Sequence, residues 1–112
     1  MKQNSQLYKG SLSTIILKLL SQNDKMYGYE ITKAVHKLSE GSLVLTEGAL
    51  YPSLHKLEAE GILTTTVETI GNRQRKYYLI TKHGKKEFIL KLKAMEEYFN
   101  QMQKILQLKP AI

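Results

Sequence analysis

The sequence contains no cysteine, no tryptophan and no long apolar run. Without cysteine there are no disulfides, thiolate metal sites or cysteine nucleophiles, and an intracellular protein is the default expectation. No stretch approaches the ~20 apolar residues that a membrane helix requires. The polar residues 1–6 also lack the apolar core of a signal peptide. We therefore predict a cytoplasmic protein that makes no contact with membranes.

Residue types that support catalysis are also scarce. Asp24 is the only aspartate, and His36, His55 and His83 show no metal-ligand spacing. No glycine-rich loop of the kind that cradles phosphate is present. The sequence therefore predicts no catalytic residue, no metal site and no cofactor, and we expect a protein that is not an enzyme.

Length and composition are those of one globular domain. The chain has 112 residues, of which 42% are hydrophobic and 24% are charged. Its formal net charge of +7 favours a polyanionic partner. The charge is uneven, because residues 47–81 carry four cations and four anions whereas residues 82–112 carry seven cations and three anions. Net charge alone therefore does not identify a binding surface.

Three amphipathic helices are predicted in the first half of the chain, over residues 11–21, 27–41 and 46–61. The third has an N-cap at Thr46 and a glycine stop at its end. Pro52 lacks an N–H, so either regular helix begins nearer Leu50 or the helix bends at the proline. The apolar positions behind these predictions are Leu12, Ile15, Ile16, Leu19 and Leu20, then Tyr27, Ile31, Ala34, Val35 and Leu38, then Leu50, Leu54 and Leu57.

A β-hairpin and a long helix are predicted in the second half. Residues 64–70 and 75–80 are rich in β-branched and aromatic side chains, with a basic four-residue tip at 71–74. A final helix runs from an N-cap at Thr81 to Leu108. Its large apolar residues recur in steps of four and three, which suits packing against a partner helix. These residues, which we call the seam, are Phe88, Leu92, Met95, Phe99, Met102 and Leu106.

The order of these elements is typical of a winged helix-turn-helix. We therefore expect the fold class to be mainly α (α+β), a winged helix-turn-helix with a long C-terminal dimerisation helix. Residues 1–81 are predicted to form the DNA-binding region, and residues 82–108 the dimerisation helix of the same compact domain. The predicted partner is double-stranded DNA.

Candidate DNA contacts follow from this fold. On the third helix, Tyr51 and His55 are placed to contact phosphates or base edges, and the small Ala49 lets the backbone approach. At the hairpin tip, Asn72, Arg73 and Arg75 can reach a minor groove or flanking phosphates. An ordinary solvated surface is the alternative interpretation of both regions.

Two tyrosine pairs add further candidates. Tyr27 opens the second helix, where a hydroxyl and backbone N–H groups are available to phosphate, and Tyr29 shares an exposed face with Lys33. The alternative interpretation is that half of the tyrosine cluster at the start of the second helix packs against the protein and does not bind phosphate. Tyr77 and Tyr78 are predicted to face opposite sides of the strand, one in the core and the other towards the DNA backbone.

These motifs together resemble the PadR family of bacterial transcriptional regulators, from about Leu12 to Gly84. The matching segments are YGYEI at 27–31, GALYPSL at 48–54, LEAEGIL at 57–63 and RKYYLIT at 75–81. The resemblance implies a dimeric repressor of the short, single-domain branch, whose last helix crosses its twin and packs on the partner's first helix, which carries Leu12. Carried over by position, it implies DNA contacts at Tyr27, Tyr29, Thr46, Ala49, Tyr51, His55, Lys56, Arg73 and Arg75.

The sequence departs from the family in two places. The tip lacks the glycine pair and proline that many members have before their Arg-Lys-Tyr-Tyr run. Some members hold flat ligands between tryptophans, and this chain has none. The predicted effector pocket is instead lined by Tyr8, Met95, Phe99 and Met102, for which dimer core is the alternative.

We therefore predict a homodimeric regulator that represses transcription by occupying a palindromic operator, with possible relief by a small planar ligand. One alternative is a winged-helix module that binds another protein and has lost DNA binding. A second is a protein that stacks single-stranded DNA or RNA on its tyrosines.

Overall fold

The computed structural model describes residues 10–109, and this range contains four helices and one antiparallel β-hairpin. The predicted order of elements is confirmed, while Tyr8 lies outside the described residues. Within these residues no helix is both long enough and apolar enough to cross a bilayer. The elements are α1 (Leu12–Gln22), α2 (Gly28–Leu38), α3 (Glu47–Ala59), β1 (Leu63–Ile70), β2 (Arg73–Ile80) and α4 (Lys82–Leu106).

Helix α1 is the centre of the core, because it contacts α2, α3, α4 and β2. Its predicted apolar face packs inward, and Leu17, which is off that face, is also fully buried because neighbours surround the helix. The prediction for Leu38 is wrong, since this last residue of α2 is 71% exposed.

The N-cap and the glycine stop predicted for α3 are present. The Thr46 hydroxyl accepts the Ala49 N–H at the start of α3. At the end of α3, Gly61 has φ of +75°. The Ile62 N–H donates to the Leu57 carbonyl at 2.9 Å and the Gly61 N–H to the Glu58 carbonyl at 3.0 Å. These two bonds form a Schellman motif, which favours glycine and directs the chain into β1.

Pro52 does not delay or end α3, which is continuous from Glu47 through the proline. The expectation of a start nearer Leu50 is therefore wrong. Proline cannot donate to the carbonyl of the residue four positions earlier, which is Gly48. Because Gly48 and Pro52 are both exposed, water can satisfy this carbonyl.

The hairpin, hereafter the wing, has a two-residue turn instead of the predicted four-residue tip. Ile70 pairs with Arg73, so Arg73 and Gln74 belong to β2, and only Gly71 and Asn72 form the turn. Gly71 has φ of +61°. A positive φ at the first turn residue is the type II′ pattern, whose twist matches that of paired strands. Arg73 and Gln74 are polar and have little preference for strands, but they belong to β2 because they pair with Ile70 and Thr69 of β1.

Tyr77 and Tyr78 face opposite sides of β2, as predicted, but both are buried. Tyr78 is in the core, and its backbone exchanges two hydrogen bonds with Met26, which adds a short third pairing to the wing's base. Burial raises the pKa of the Tyr78 phenol, an effect partly offset by the Lys76 ammonium. Tyr77 is covered by Tyr27 and Lys25 and does not meet the prediction of a strand tyrosine open to a DNA backbone.

Candidate nucleic-acid interface

The predicted contact face of α3 points to solvent. Its apolar residues Leu50, Leu54 and Leu57 are buried on the opposite side. Tyr51 is the exception, because its ring is half-buried. The exposed candidates at the start and along this face are Thr46, Ala49, His55 and Lys56.

Tyr51 is half-buried because its ring lies against the first residue of α2. A Cβ added to Gly28 would be 2.6 Å from the Tyr51 hydroxyl oxygen and 3.0 Å from its Cζ. Only glycine leaves this space free. Tyr51 also lies beside His55, with ring centroids 6.2 Å apart. The contact with α2 therefore orients Tyr51, and Gly28 is a site residue that the sequence analysis did not identify.

The wing contacts the other side of the same segment. The Arg75 guanidinium lies 4.5 Å from the centroid of the Tyr27 ring, a cation–π contact. The Tyr27 and Tyr77 rings meet edge to face, with centroids 5.5 Å apart. Lys25 lies 4.8 Å from the centroid of the Tyr77 ring and pairs with Glu68 of β1. Lys25 was also missed, because its partners are far away in sequence.

The tyrosine and lysine that follow Tyr27 form the exposed edge of this cluster. The Tyr29 and Tyr27 rings are nearly parallel, with centroids 6.5 Å apart, and the Lys33 ammonium lies 5.4 Å from the centroid of the Tyr29 ring. Tyr29 is 55% exposed. Tyr29 and Lys33 are therefore accessible to a ligand, whereas Tyr27 is half-buried.

The start of α2 is less open to an anion than the sequence suggested. The Glu30 carboxylate accepts the Tyr27 N–H at 3.1 Å, which occupies one of the donors at this helix end. The carboxylate also places a negative charge beside the first turn. The side chains at the start of α2 are therefore better candidates for binding phosphate than its backbone N–H groups.

The wing cations divide between its two faces. Arg73 and Arg75 alternate along β2 and share one face with Tyr77, whereas Lys76 points the other way and pairs with Glu58 of α3 at 3.5 Å. Asn72 and Arg73 are exposed at the tip and form no ion pair or side-chain hydrogen bond with other residues in the range 10–109. Lys76 therefore helps to hold the wing, and the two arginines form its cationic face.

The first residues of α2 join the two halves of the candidate interface. Gly28 contacts Tyr51 of α3, and the adjacent Tyr27 contacts Arg75 of the wing. The structure thus brings the predicted helix and wing residues to neighbouring positions on one side of the molecule. The charges of this region are of two kinds. Arg73 has no carboxylate partner within residues 10–109, whereas Lys25 is neutralised by Glu68.

Helix α4 presents much of its predicted seam to solvent. Phe88 packs against the core, and Met95, Met102 and the α1 residue Leu12 are half-buried. Within residues 10–109, α1 is the element that α4 contacts most. The exposed fractions of the remaining seam residues are 42% for Leu92, 56% for Phe99 and 59% for Leu106.

A shallow groove of about 550 Å³ lies away from this seam. It follows the outer side of α2 and the segment before α3, where Lys33, His36, Lys37 and Val44 contribute to its lining. Met95, Phe99 and Met102, the described residues of the predicted effector pocket, are not part of its lining. These three residues lie on α4.

Comparison with known proteins identifies relatives that are transcriptional regulators. Transcriptional regulator Rv3488 of Mycobacterium tuberculosis is 31% identical over 75 residues, which is 67% of each chain. Transcriptional regulator YqjI of Escherichia coli is 35% identical over 65 residues, or 58% of this chain. The chain spans only 31% of the length of YqjI.

Solved structures share the fold over nearly the whole chain. A transcriptional regulator from Clostridium thermocellum has a TM-score of 0.84 at 30% identity, covering 92% of this chain and 97% of that one. A PadR-like transcriptional regulator, BC4206 from Bacillus cereus, has a TM-score of 0.77 at 28% identity, covering 93% and 99%. The sequence pattern of the transcriptional regulator PadR-like family matches residues 16–89, which is more than half of the chain. The protein therefore belongs to the PadR-like family of transcriptional regulators.

Proposed function

We propose that this regulator binds double-stranded DNA as a homodimer at a two-fold symmetric operator and represses transcription by occluding a promoter. The observation that carries the proposal is the joining of α3 and the wing through the first residues of α2. Helix α3 would enter the major groove with Tyr51 and His55 near base edges, and Arg73 and Arg75 would contact flanking backbone or a minor groove.

The exposed seam supports the dimer. Leu92 and Phe99 leave large apolar surfaces in water in a single chain, and burying them against a second copy removes that cost. In this proposal residues 82–108 form the dimerisation helix and residues 1–81 the DNA-binding region. Two recognition helices related by a two-fold axis then engage half-sites about 34 Å, or a multiple of it, apart.

Selection of bound duplexes from a random pool tests this function. We expect a palindrome, because the two identical DNA-binding regions of a dimer would contact the same base sequence on opposite strands. A winged-helix module that recruits a protein through the seam would select no sequence. It would also lack the steep salt dependence that follows from release of counterions by neutralised phosphates.

The α3 and wing residues are expected to respond differently to substitution. Tyr51→Ala or His55→Ala should weaken the selected operator more than random duplex, by roughly 5- to 150-fold if a base contact worth about 1–3 kcal/mol is lost. Arg73→Ala and Arg75→Ala should weaken both DNAs and each reduce the salt slope by about 1. Binding titrations at several salt concentrations measure both effects.

Lys104→Ala is the matched control for charge, because this exposed lysine lies in the last turn of α4. It should leave the operator affinity and the salt slope unchanged. If all four interface variants bind the operator as the wild type does, the assigned surface is wrong.

Gly28→Ala should impair operator binding through Tyr51 while leaving the fold intact. The new methyl group meets the far end of the Tyr51 side chain, which can rotate away at a cost of about 1 kcal/mol. Operator affinity should then fall as much as in Tyr51→Ala. In a Tyr51→Ala background the methyl group has room, so Gly28→Ala should have no further effect. Additive losses in the double variant would contradict this mechanism.

We further propose that a planar, apolar or cationic small molecule binds at the dimer centre, near Met95, Phe99 and Met102, and lowers operator affinity. Methionine side chains adapt to varied apolar shapes. A ligand between the two α4 helices of the dimer would alter the distance between the two DNA-binding regions. Titration of such compounds against the free dimer and the dimer on its operator tests the idea. Equal affinity for both forms would exclude the compound as the switch.

A further inference from the structure

The orientation of the wing depends on contacts outside its own two strands. An isolated two-stranded hairpin is marginally stable in water. The Met26–Tyr78 hydrogen bonds hold the base of β2, and beyond that point the strand becomes exposed towards the Gly71–Asn72 turn. Side-chain contacts on the two faces of the hairpin must therefore set the angle of its outer half.

One of these faces is centred on Tyr27. The ring of Tyr27 contacts the Arg75 guanidinium at 4.5 Å, the edge of Tyr77 at a centroid distance of 5.5 Å and Tyr29 at 6.5 Å. It is thus the aromatic residue through which the start of α2 meets the wing, beside the contacts that Lys25 and Met26 make with the two strands. Its ring is committed to these protein contacts, which leaves less of it for DNA.

Arg75 is held in one place by this arrangement, and Arg73 benefits indirectly. The two arginines lie on the same face of β2, two residues apart. Fixing the Arg75 guanidinium therefore also fixes the direction in which that face of the tip points. Both cations are then oriented before a phosphate arrives, which saves the ordering cost at binding.

We propose that Tyr27 is a positioning residue for the wing, which acts on DNA through Arg75 and makes no DNA contact of its own. This rests on the proposed function for its effect on DNA affinity, but its structural part does not. It also reassigns Tyr27 from the DNA contacts that the family resemblance implied. Tyr29, which is more exposed, keeps the role of a candidate contact.

The test is a double-mutant cycle between positions 27 and 75, with duplex affinity as the readout. Tyr27→Phe keeps the ring face that attracts a cation, so its affinity should stay within about twofold of the wild type. Tyr27→Leu removes the ring and should weaken binding roughly two- to fivefold, the range expected for an exposed cation–π contact. In an Arg75→Ala background, Tyr27→Leu should cause little further loss.

Tyr29→Leu is the matched control, because it removes a ring two residues away whose cation–π partner is Lys33. Its effect should add to that of Arg75→Ala. A loss in Tyr27→Phe as large as in Tyr27→Leu would mean that the hydroxyl itself contacts DNA and would overturn the proposal. Additive losses for Tyr27→Leu and Arg75→Ala would overturn it as well.

Hydrogen exchange on the free protein separates this idea from the proposed function. Wing amides between residues 66 and 77 should exchange faster in Tyr27→Leu and in Arg75→Ala, and no faster in the double variant than in either single one. Unchanged exchange in Tyr27→Leu would refute the positioning role even if DNA binding is confirmed. If the wild type fails to bind duplex DNA, the exchange cycle still decides whether Tyr27 holds the wing. Should Tyr27→Leu not fold, Tyr27→Phe alone remains decisive, since only a direct contact predicts a loss.

Discussion

Glutamates at Leu92 and Phe99 should dissociate the proposed dimer into monomers or unfold the protein. Both residues lie on the seam of α4, and a pair of twofold-related helices would bury four carboxylates. Burying an unpaired charge costs several kcal/mol, so the four together exceed the stability of an ordinary dimer of this size. Sedimentation velocity at fixed concentration measures the change in mass.

Leu90→Glu is the matched control for this experiment. At 100° per residue, Leu90 lies on the side of α4 opposite the seam, and it is 62% exposed. The same chemical change at this position should leave the oligomeric state unchanged. If the Leu92 and Phe99 double variant sediments like the wild type, the seam is not the interface.

Gly84→Ala should destabilise the fold although the same change inside a helix usually gains about 0.5–1 kcal/mol. A Cβ at this position would lie well inside contact distance of the Ile62 carbonyl oxygen and 2.8 Å from Cγ1 of Ile80. The carbonyl cannot move freely, because it accepts the Thr81 N–H and hydroxyl, each at 3.0 Å. We expect a loss of about 3 kcal/mol, the upper end of the usual range for an overpacked core, and a fall in melting temperature of roughly 10 °C or more.

Gly48→Ala provides the comparison, since Gly48 is also in the first turn of a helix and a Cβ there would meet nothing within 4 Å. Its stability should equal or exceed that of the wild type. Thermal unfolding is compared at one protein concentration, because association raises the apparent stability. A Gly84→Ala protein as stable as Gly48→Ala would show that α4 does not approach Ile62 this closely.

The close approach at Gly84 is set by tertiary structure and not by local sequence. The glycine was recognised as part of a family motif, and the Thr81 cap beside it was predicted correctly. The role of the glycine follows only from the meeting of α4 with the chain just before β1. The Thr81 hydroxyl donates to the Gly61 and Ile62 carbonyls, which are 20 and 19 residues away in sequence.

The candidate interface also contains some residues that the sequence located and others whose position depends on tertiary packing. Exposure of His55 and Lys56 follows from helical periodicity, and that of Arg73 from its predicted place at the hairpin tip, so the sequence located these residues. The half-burial of Tyr51 against Gly28 and the contact of Arg75 with Tyr27 depend on how α2 packs against two other elements. From the sequence, Tyr27 was therefore grouped with Tyr29, although Tyr29 is exposed and Tyr27 is half-buried.

The sequence by itself determined the features that are governed by a few neighbouring residues. Apolar spacing defined the helices, Thr46 and Thr81 began two of them, and Gly61 ended one, because these effects act within one or two turns. Tertiary structure alone decided the two-residue wing turn, the burial of Tyr77 and the pairing of Lys25 with Glu68, which lie 43 residues apart. Contacts of this kind exist only after the helices and strands have packed, and no local spacing encodes which distant side chains will then be neighbours.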